Sequence, residues 1–237
     1  MSDLKIWKAI CEIRYPAAAL IFDRRGSIAA KWHRQFGLTD WRITNNQVTL
    51  YNSKSGTPRF QVGYRRAVCV MELPERYRDF RECTLEVLCH TLETLDIRKL
   101  ERIGLRLLQI AERKSFATLL AQMRGSLYGL SDEAWDRLGG YPIDIGLPLT
   151  LEIGDYKANF RMGPMQKEQL KGYFDSVTVQ EKLPRTSLFI DFDLYAEEPK
   201  LHVKGFKKGL AEFLKLGETE VQQRSIAFVD QFGGFQR

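Results

Sequence analysis

Asp191-Phe192-Asp193, with Glu197-Glu198 close behind, is the acidic constellation best placed to do chemistry in this 237-residue chain. In a strand the two aspartates project from one face about 7 Å apart, which suits two ligands of a hard cation such as Mg²⁺ in a metal-dependent phosphohydrolase. Glu12 and Glu101, on other strands, could add a third oxygen. The simpler reading makes the pair the solvated face of an amphipathic strand whose Phe189 and Phe192 straddle the core boundary. One Asp-x-Asp carries too little to displace it.

Arginines offer a second chemistry. Arg14 and Arg106 each sit mid-strand among hydrophobic neighbours, in Cys11-Glu12-Ile13-Arg14-Tyr15 and Ile103-Gly104-Leu105-Arg106-Leu107, two stretches that can be laid on one another. A fixed guanidinium there can hold a phosphate or carboxylate through two hydrogen bonds. It can equally close an ion pair inside the protein: Glu12 shares the face of Arg14, and Glu101 or Glu112 could approach Arg106. A structural pair linking the two halves is the favoured reading. Strand neighbours and covering helices should then leave both arginines less exposed than ordinary surface arginines.

Basic residues interleave with aromatic ones at Arg59-Phe60, Tyr64-Arg65-Arg66 and Arg76-Tyr77-Arg78, with Arg24-Arg25 and Lys204 to Lys208 further off. Such runs can follow a phosphate backbone while rings stack on bases. Glu72, Glu75, Asp79 and Glu82 lie among the same arginines. A solvated helix face laced with ion pairs is therefore the stronger expectation, and a nucleic-acid surface the alternative.

Other chemistries lack their signatures. The sequence has no GxxxxGK(S/T) phosphate loop, no GxGxxG after a strand, no GxSxG elbow and no HExxH. His33, His90 and His202 are isolated from one another, so each reads as a surface or partly buried residue rather than a general base. Cys11, Cys69, Cys83 and Cys89 form no CxxC pair and have no histidine at zinc-site spacing, and they read as buried thiols. No cofactor is expected.

The elements that must position these residues are legible in the pattern. A strand runs from Ala9 to Tyr15 and ends at Pro16; Ser27 can cap a helix to Phe36, which Gly37 stops. Strands follow at Trp41 to Thr44 and Val48 to Tyr51, then a long one from Phe60 to Leu73, before Pro74 opens a helix from Glu75 to about Leu95. From Arg98 the order starts again. It gives a strand at Leu100 to Ile110, helices at Ser115 to Met123 and Ser131 to Leu138, and strands at Ile143 to Ile153, Tyr156 to Met162 and Ser187 to Tyr195. A short helical insertion at Gln166 to Phe174 interrupts the last two, and helical periodicity closes the chain at Phe206, Leu210, Phe213 and Leu214, then Val221, Ser225, Phe228, Val229 and Phe232.

Each half therefore reads strand, helix, three strands, helix. That implies an α+β fold of duplicated β-α-β-β-β-α units, residues 1–97 and 98–237, with antiparallel sheets covered by helices on one face, either separate or joined edge to edge. No Pro/Gly/Ser-rich linker separates the halves near residue 97, so they are expected to share an extensive interface.

Composition sets the frame. At 44% hydrophobic and 28% charged the chain is an ordinary globular one that can bury a core. Its apolar runs fall far short of the roughly 20 residues a membrane span needs, and no signal region opens it, so a cytoplasmic location is expected. The 36 basic and 30 acidic residues leave +6, spread as +4 over residues 1–97 (15 against 11) and +2 over the rest (21 against 19). That balance is compatible with an anionic partner without demanding one.

The strand ending Glu12-Ile13-Arg14-Tyr15 and, about ninety residues later, Ile103-Gly104-Leu105-Arg106-Leu107-Leu108-Gln109-Ile110 are similar to the Glu-Ile-Arg-aromatic and Gly-Leu-Arg-aromatic strands of a sporadically distributed family of bacterial proteins of similar length to which no activity is attached. Leu107 stands where that family has an aromatic residue. The resemblance implies no catalytic residue, and its sporadic distribution would fit an accessory role such as defence against phage. The leading expectation is a non-enzymatic binding or assembly protein with a protein partner or a second copy. The alternative is a nucleic-acid, chiefly RNA, binding protein.

Overall fold

The structure, a computed structural model, describes residues 3–52, 54–199 and 205–231. The elements are β1 (Lys5–Arg14), α1 (Ile21–Phe36), β2 (Asp40–Ile43), β3 (Gln47–Tyr51), β4 (Arg59–Gly63), β5 (Arg66–Glu72) and α2 (Tyr77–Thr94) in the first half. The second has β6 (Arg102–Glu112), α3 (Phe116–Leu127), α4 (Asp132–Arg137), β7 (Leu147–Ile153), β8 (Tyr156–Gln166), α5 (Lys167–Lys171), α6 (Val177–Lys182), β9 (Thr186–Glu197), α7 (Phe206–Leu216) and α8 (Gln223–Gln231). The fold is α+β.

The strands form one antiparallel sheet in the order β2-β3-β4-β5-β1-β6-β9-β8-β7. The two halves meet in the middle, where β1 lies against β6 with Ile10 opposite Arg106, Glu12 opposite Gly104 and Arg14 opposite Arg102. The sheets are thus joined edge to edge rather than separate. Counted outward from this pair, one half runs β1-β5-β4-β3-β2 and the other β6-β9-β8-β7, a matching connectivity in which β2 has no counterpart. Arg14 and Arg106 each lie two residues from the Glu12–Gly104 crossing, on opposite sides of it. That likeness is one of connectivity and register; duplication of an ancestral unit is an inference from it.

Alternation along the strands sends Ala9, Cys11, Ile13, Leu105, Leu107, Phe192 and Leu194 into one core. Apolar stripes from α1, α2, α3, α7 and α8 pack on the same side, including Trp32, Phe80, Leu119, Phe213 and Val229. Between α7 and α8 the helix widens into a π turn at Gly217–Gln222. It does so just where the buried Tyr77 hydroxyl donates to the Leu214 carbonyl at 2.6 Å, so a side chain enters the helix ladder from outside. Among the described residues, the opposite sheet face is covered only at one end. There Leu170, Phe174, Val179 and Leu183 of the α5–α6 segment pack on Leu108, Ile110 and Phe189.

Several sequence expectations are corrected. The long strand from Phe60 to Leu73 is two antiparallel strands, β4 and β5, because Tyr64 and Arg65 form the hairpin turn. The first helix begins at Ile21, six residues before Ser27, whose hydroxyl donates to the Arg24 carbonyl inside the helix instead of capping it. Ser115 and Ser131 do accept the backbone N–H of the residue three further on, Thr118 and Ala134, and cap α3 and α4. The helix α6 lacked any sequence signal read above. Cys11 and Cys69 are buried free thiols, whereas Cys83 and Cys89 are only half-buried. Lys204, His202 and Phe232 lie outside the described residues.

Candidate functional site

The face of the sheet opposite the helix layer carries the charged residues singled out above. In register across it run Arg66–Arg14–Arg102, then Glu12–Gly104–Tyr195–Lys157 one step along, then Ile10–Arg106–Asp193–Asn159, then Leu108–Asp191–Arg161. Covering helices do not crowd Arg14 and Arg106 here, since they pack on the other face. The Arg14 side chain is 49% exposed and that of Arg106 40%, less than the 72% of Arg76 or the 78% of Arg137, so the lower exposure expected of them holds while the covering helices expected to cause it do not.

Each has a carboxylate partner within its own half, and neither pair bridges the halves. Arg106 donates from Nε and Nη2 to the two oxygens of Asp191, both at 2.7 Å. This bidentate geometry is the strong form of a charge-assisted pair, and the Asp191 carboxylate raises the Arg106 pKa above its ordinary value. The partner is therefore Asp191, not Glu101 or Glu112. Arg14 donates from Nε to Glu12 at 2.6 Å.

Asp191 and Asp193 do share a face, as strand alternation requires, but a guanidinium stands where a cation would. Both oxygens of Asp191 accept from Arg106, and Asp193 faces Arg102 at 3.5 Å. The proposed third ligand Glu12 is engaged by Arg14. Among the described residues no three His, Cys, Asp or Glu side chains converge to hold a metal ion. Burial pushes the Asp193 carboxyl up, against the pull of the Arg102 and Arg106 guanidiniums.

The arginine row is the sharper feature. Arg66, Arg14 and Arg102 are direct cross-strand neighbours on β5, β1 and β6, and like charges placed directly opposite repel. Glu12 lies against two of them, at 2.6 Å from Arg14 and 3.9 Å from Arg66. The Arg102 guanidinium lies 4.5 Å from the Tyr195 ring centroid, and its buried Nε makes no hydrogen bond.

The remaining sequence candidates go elsewhere. Arg76 and Arg78 belong to the other side of the sheet: Arg76 immediately precedes α2 and Arg78 lies within it, paired with Asp79 at 2.7 Å and Glu82 at 2.6 Å. They do not converge with the arginine row. Tyr64 packs on Phe22, ring centroids 5.8 Å apart, and Arg65 lies over Tyr64, so these two secure the β4–β5 hairpin beside α1. Arg66 alone of that run reaches the open face.

Beside the row lies a depression of about 420 Å³ bordered by Arg106, Thr150, Asn159, Arg161, Asp191 and Asp193. Sequence reasoning passed over Arg102, Asn159 and Arg161. The signal was present: Lys157, Asn159 and Arg161 alternate with Ala158, Phe160 and Met162, the period of a strand with one wet face. Further along the face Lys8 is buried between Glu72 and Asp175, 2.8 Å from each. A bulge between Ile6 and Lys8 lets neighbouring Trp7 and Lys8 both meet the α5–α6 segment, Trp7 against Phe174 and Lys8 donating to the Tyr173 carbonyl.

No protein-family model matches the chain, and no curated protein matches it. Among the described residues no helix is long and apolar enough to cross a membrane.

Proposed function

We propose that this protein is a non-enzymatic binding protein whose open sheet face holds a single-stranded nucleic acid, RNA foremost. The observation that carries the reading is the row Arg66–Arg14–Arg102. Three arginines occupy directly opposite register positions on adjacent strands, with the single carboxylate of Glu12 shared between two of them, and a phosphate backbone laid across this stripe would add the negative charge it is short of. A sheet face presents side chains along its whole breadth, which suits an extended strand with splayed bases better than a closed duplex. Binding is favoured over catalysis because Asp191, Asp193 and Glu12 all lie against guanidiniums. The described histidines, His33 and His90, sit in α1 and α2 on the far side.

Ultraviolet cross-linking of a bound single-stranded RNA, followed by peptide mapping, tests the placement. Adducts on β1, β6, β8 or β9 support it; adducts confined to α2 would move the strand to Arg76 and Arg78 and overturn it.

A protein partner has its own observation. The segment between α3 and β7 exposes Leu138 at 72% and Ile143 at 91%, apolar area that association would hide. Light scattering tests it. A monomer unchanged by Leu138→Ser and Ile143→Ser, with no co-purifying protein, removes this second reading.

A further inference from the structure

We infer that the depression beside the arginine row is a nucleobase pocket that selects guanine; this rests on the nucleic-acid reading above. The depression holds about 420 Å³, within the range of small-ligand sites. Its polar groups come from neighbouring strands. Asp193 of β9 lies opposite Asn159 of β8, and Arg161 is two residues further along β8 on the same face. Asp193 and Arg161 are thus diagonal cross-strand neighbours, roughly 7–8 Å apart at the backbone. Arg161 is exposed and, among the described residues, has no partner.

The two groups have opposite hydrogen-bond characters, and guanine is the base that matches both. Its Watson–Crick edge carries two adjacent donors, N1–H and the N2 amino group, which a carboxylate accepts together. Its O6 and N7 are a pair of acceptors that an arginine fork addresses at once. Adenine offers an acceptor at N1 where the carboxylate would stand, uracil offers one donor flanked by two acceptors, and cytosine one amino group. Arg102, at the end of the row, is 3.5 Å from Asp193 on the border of the pocket, and so links the two across the intervening Gly104–Tyr195 step. A phosphate on the row and the base in the depression can therefore belong to one strand.

The test uses four labelled oligonucleotides, each oligouridine with a central G, A, C or U, and reads their affinities by fluorescence anisotropy. The parent protein should bind the G strand about tenfold tighter than the other three, the discrimination expected of one good bidentate contact. In Asp193→Asn and in Arg161→Ala the ratio of G-strand to U-strand affinity should fall towards one. Arg161→Ala removes an exposed, unpartnered side chain, so it keeps the test valid if Asp193→Asn folds poorly. Equal affinity of the parent for all four strands overturns guanine selection and leaves the binding face standing. An unchanged ratio in both variants overturns the assignment of the pocket. No binding of any strand removes the nucleic-acid reading itself.

Discussion

Arg106 grips Asp191 through two parallel hydrogen bonds of 2.7 Å from β6 to β9, with the aspartate buried and the arginine half in solvent. Arg14, two residues across the central crossing in the other half, holds Glu12 through one such bond while half exposed. The two arginines occupy like places and do different amounts of structural work. Arg106→Ala leaves the Asp191 carboxylate buried without its partner and should cost about 2 kcal/mol, below the full buried-pair penalty because Arg106 itself is screened by water. Arg14→Ala should cost no more than about 1 kcal/mol, as an exposed pair does. Urea denaturation of both variants checks the difference; equal losses would refute it.

Lys8→Met should destabilise the protein by about 3–5 kcal/mol, since Glu72 would remain almost fully buried with its charge uncompensated. Glu72 also accepts the backbone N–H groups of Asp175 and Ser176, so the loss should loosen the α5–α6 segment first. Amide hydrogen exchange faster at residues 167–182 than in β1 or β6 is the expected signature.

Asp193 gives a pH prediction. Its folded-state pKa is raised, chiefly by burial, so the stability it contributes is full below the unfolded value of about 4 and is lost as pH rises through the folded one. At pH 7 its ionised form is therefore a burden on the fold. Asp193→Asn should melt at or above the parent temperature at pH 7, and the difference should shrink as pH falls below about 4. A variant clearly less stable at pH 7 contradicts this.

Gly217 opens the π turn, and a Cβ there would run into the Tyr77 hydroxyl and come within 2.7 Å of Leu105. Gly217→Ala should cost about 1–3 kcal/mol by overpacking, measurable by thermal melting. Gly26→Ala, in open space on α1, should not destabilise.

Much of the fold is legible in the sequence because period-2 and period-3.6 patterns report burial, and one face of the sheet here is buried almost everywhere. Cys11, Ile13 and Tyr15 alternate with Glu12 and Arg14, and the structure buries the first three. Gly37 stops α1 in the left-handed region, φ 59°, where glycine is at ease. Tyr64-Arg65 escaped notice because the hairpin turn there has a tyrosine and an arginine where glycine or asparagine would signal a reversal. The site is harder to read. Arg106 and Asp191 are 85 residues apart, and only the β6–β9 pairing makes them neighbours. The choice of Asp191 over Glu101 or Glu112 depends on that register, which no local pattern encodes. Arg76 and Arg78 make the ion pairs with Asp79 and Glu82 that the interleaved acids led one to expect, whereas their proximity in sequence to Arg65 and Arg66 hides that α2 packs on the opposite side of the sheet from Arg66.

The binding face is tested most directly by the salt dependence of RNA affinity. A labelled single-stranded RNA should bind the parent protein at micromolar concentration or below at about 50 mM salt, and weaken steeply toward 200 mM. Replacing Arg14, Arg66 and Arg102 together by alanine should lower the slope of log affinity against log salt by about 2, which is three phosphate contacts at roughly 0.7 each for a single strand. Absence of binding by the parent, or a folded triple variant with the parent's affinity and slope, would contradict the account.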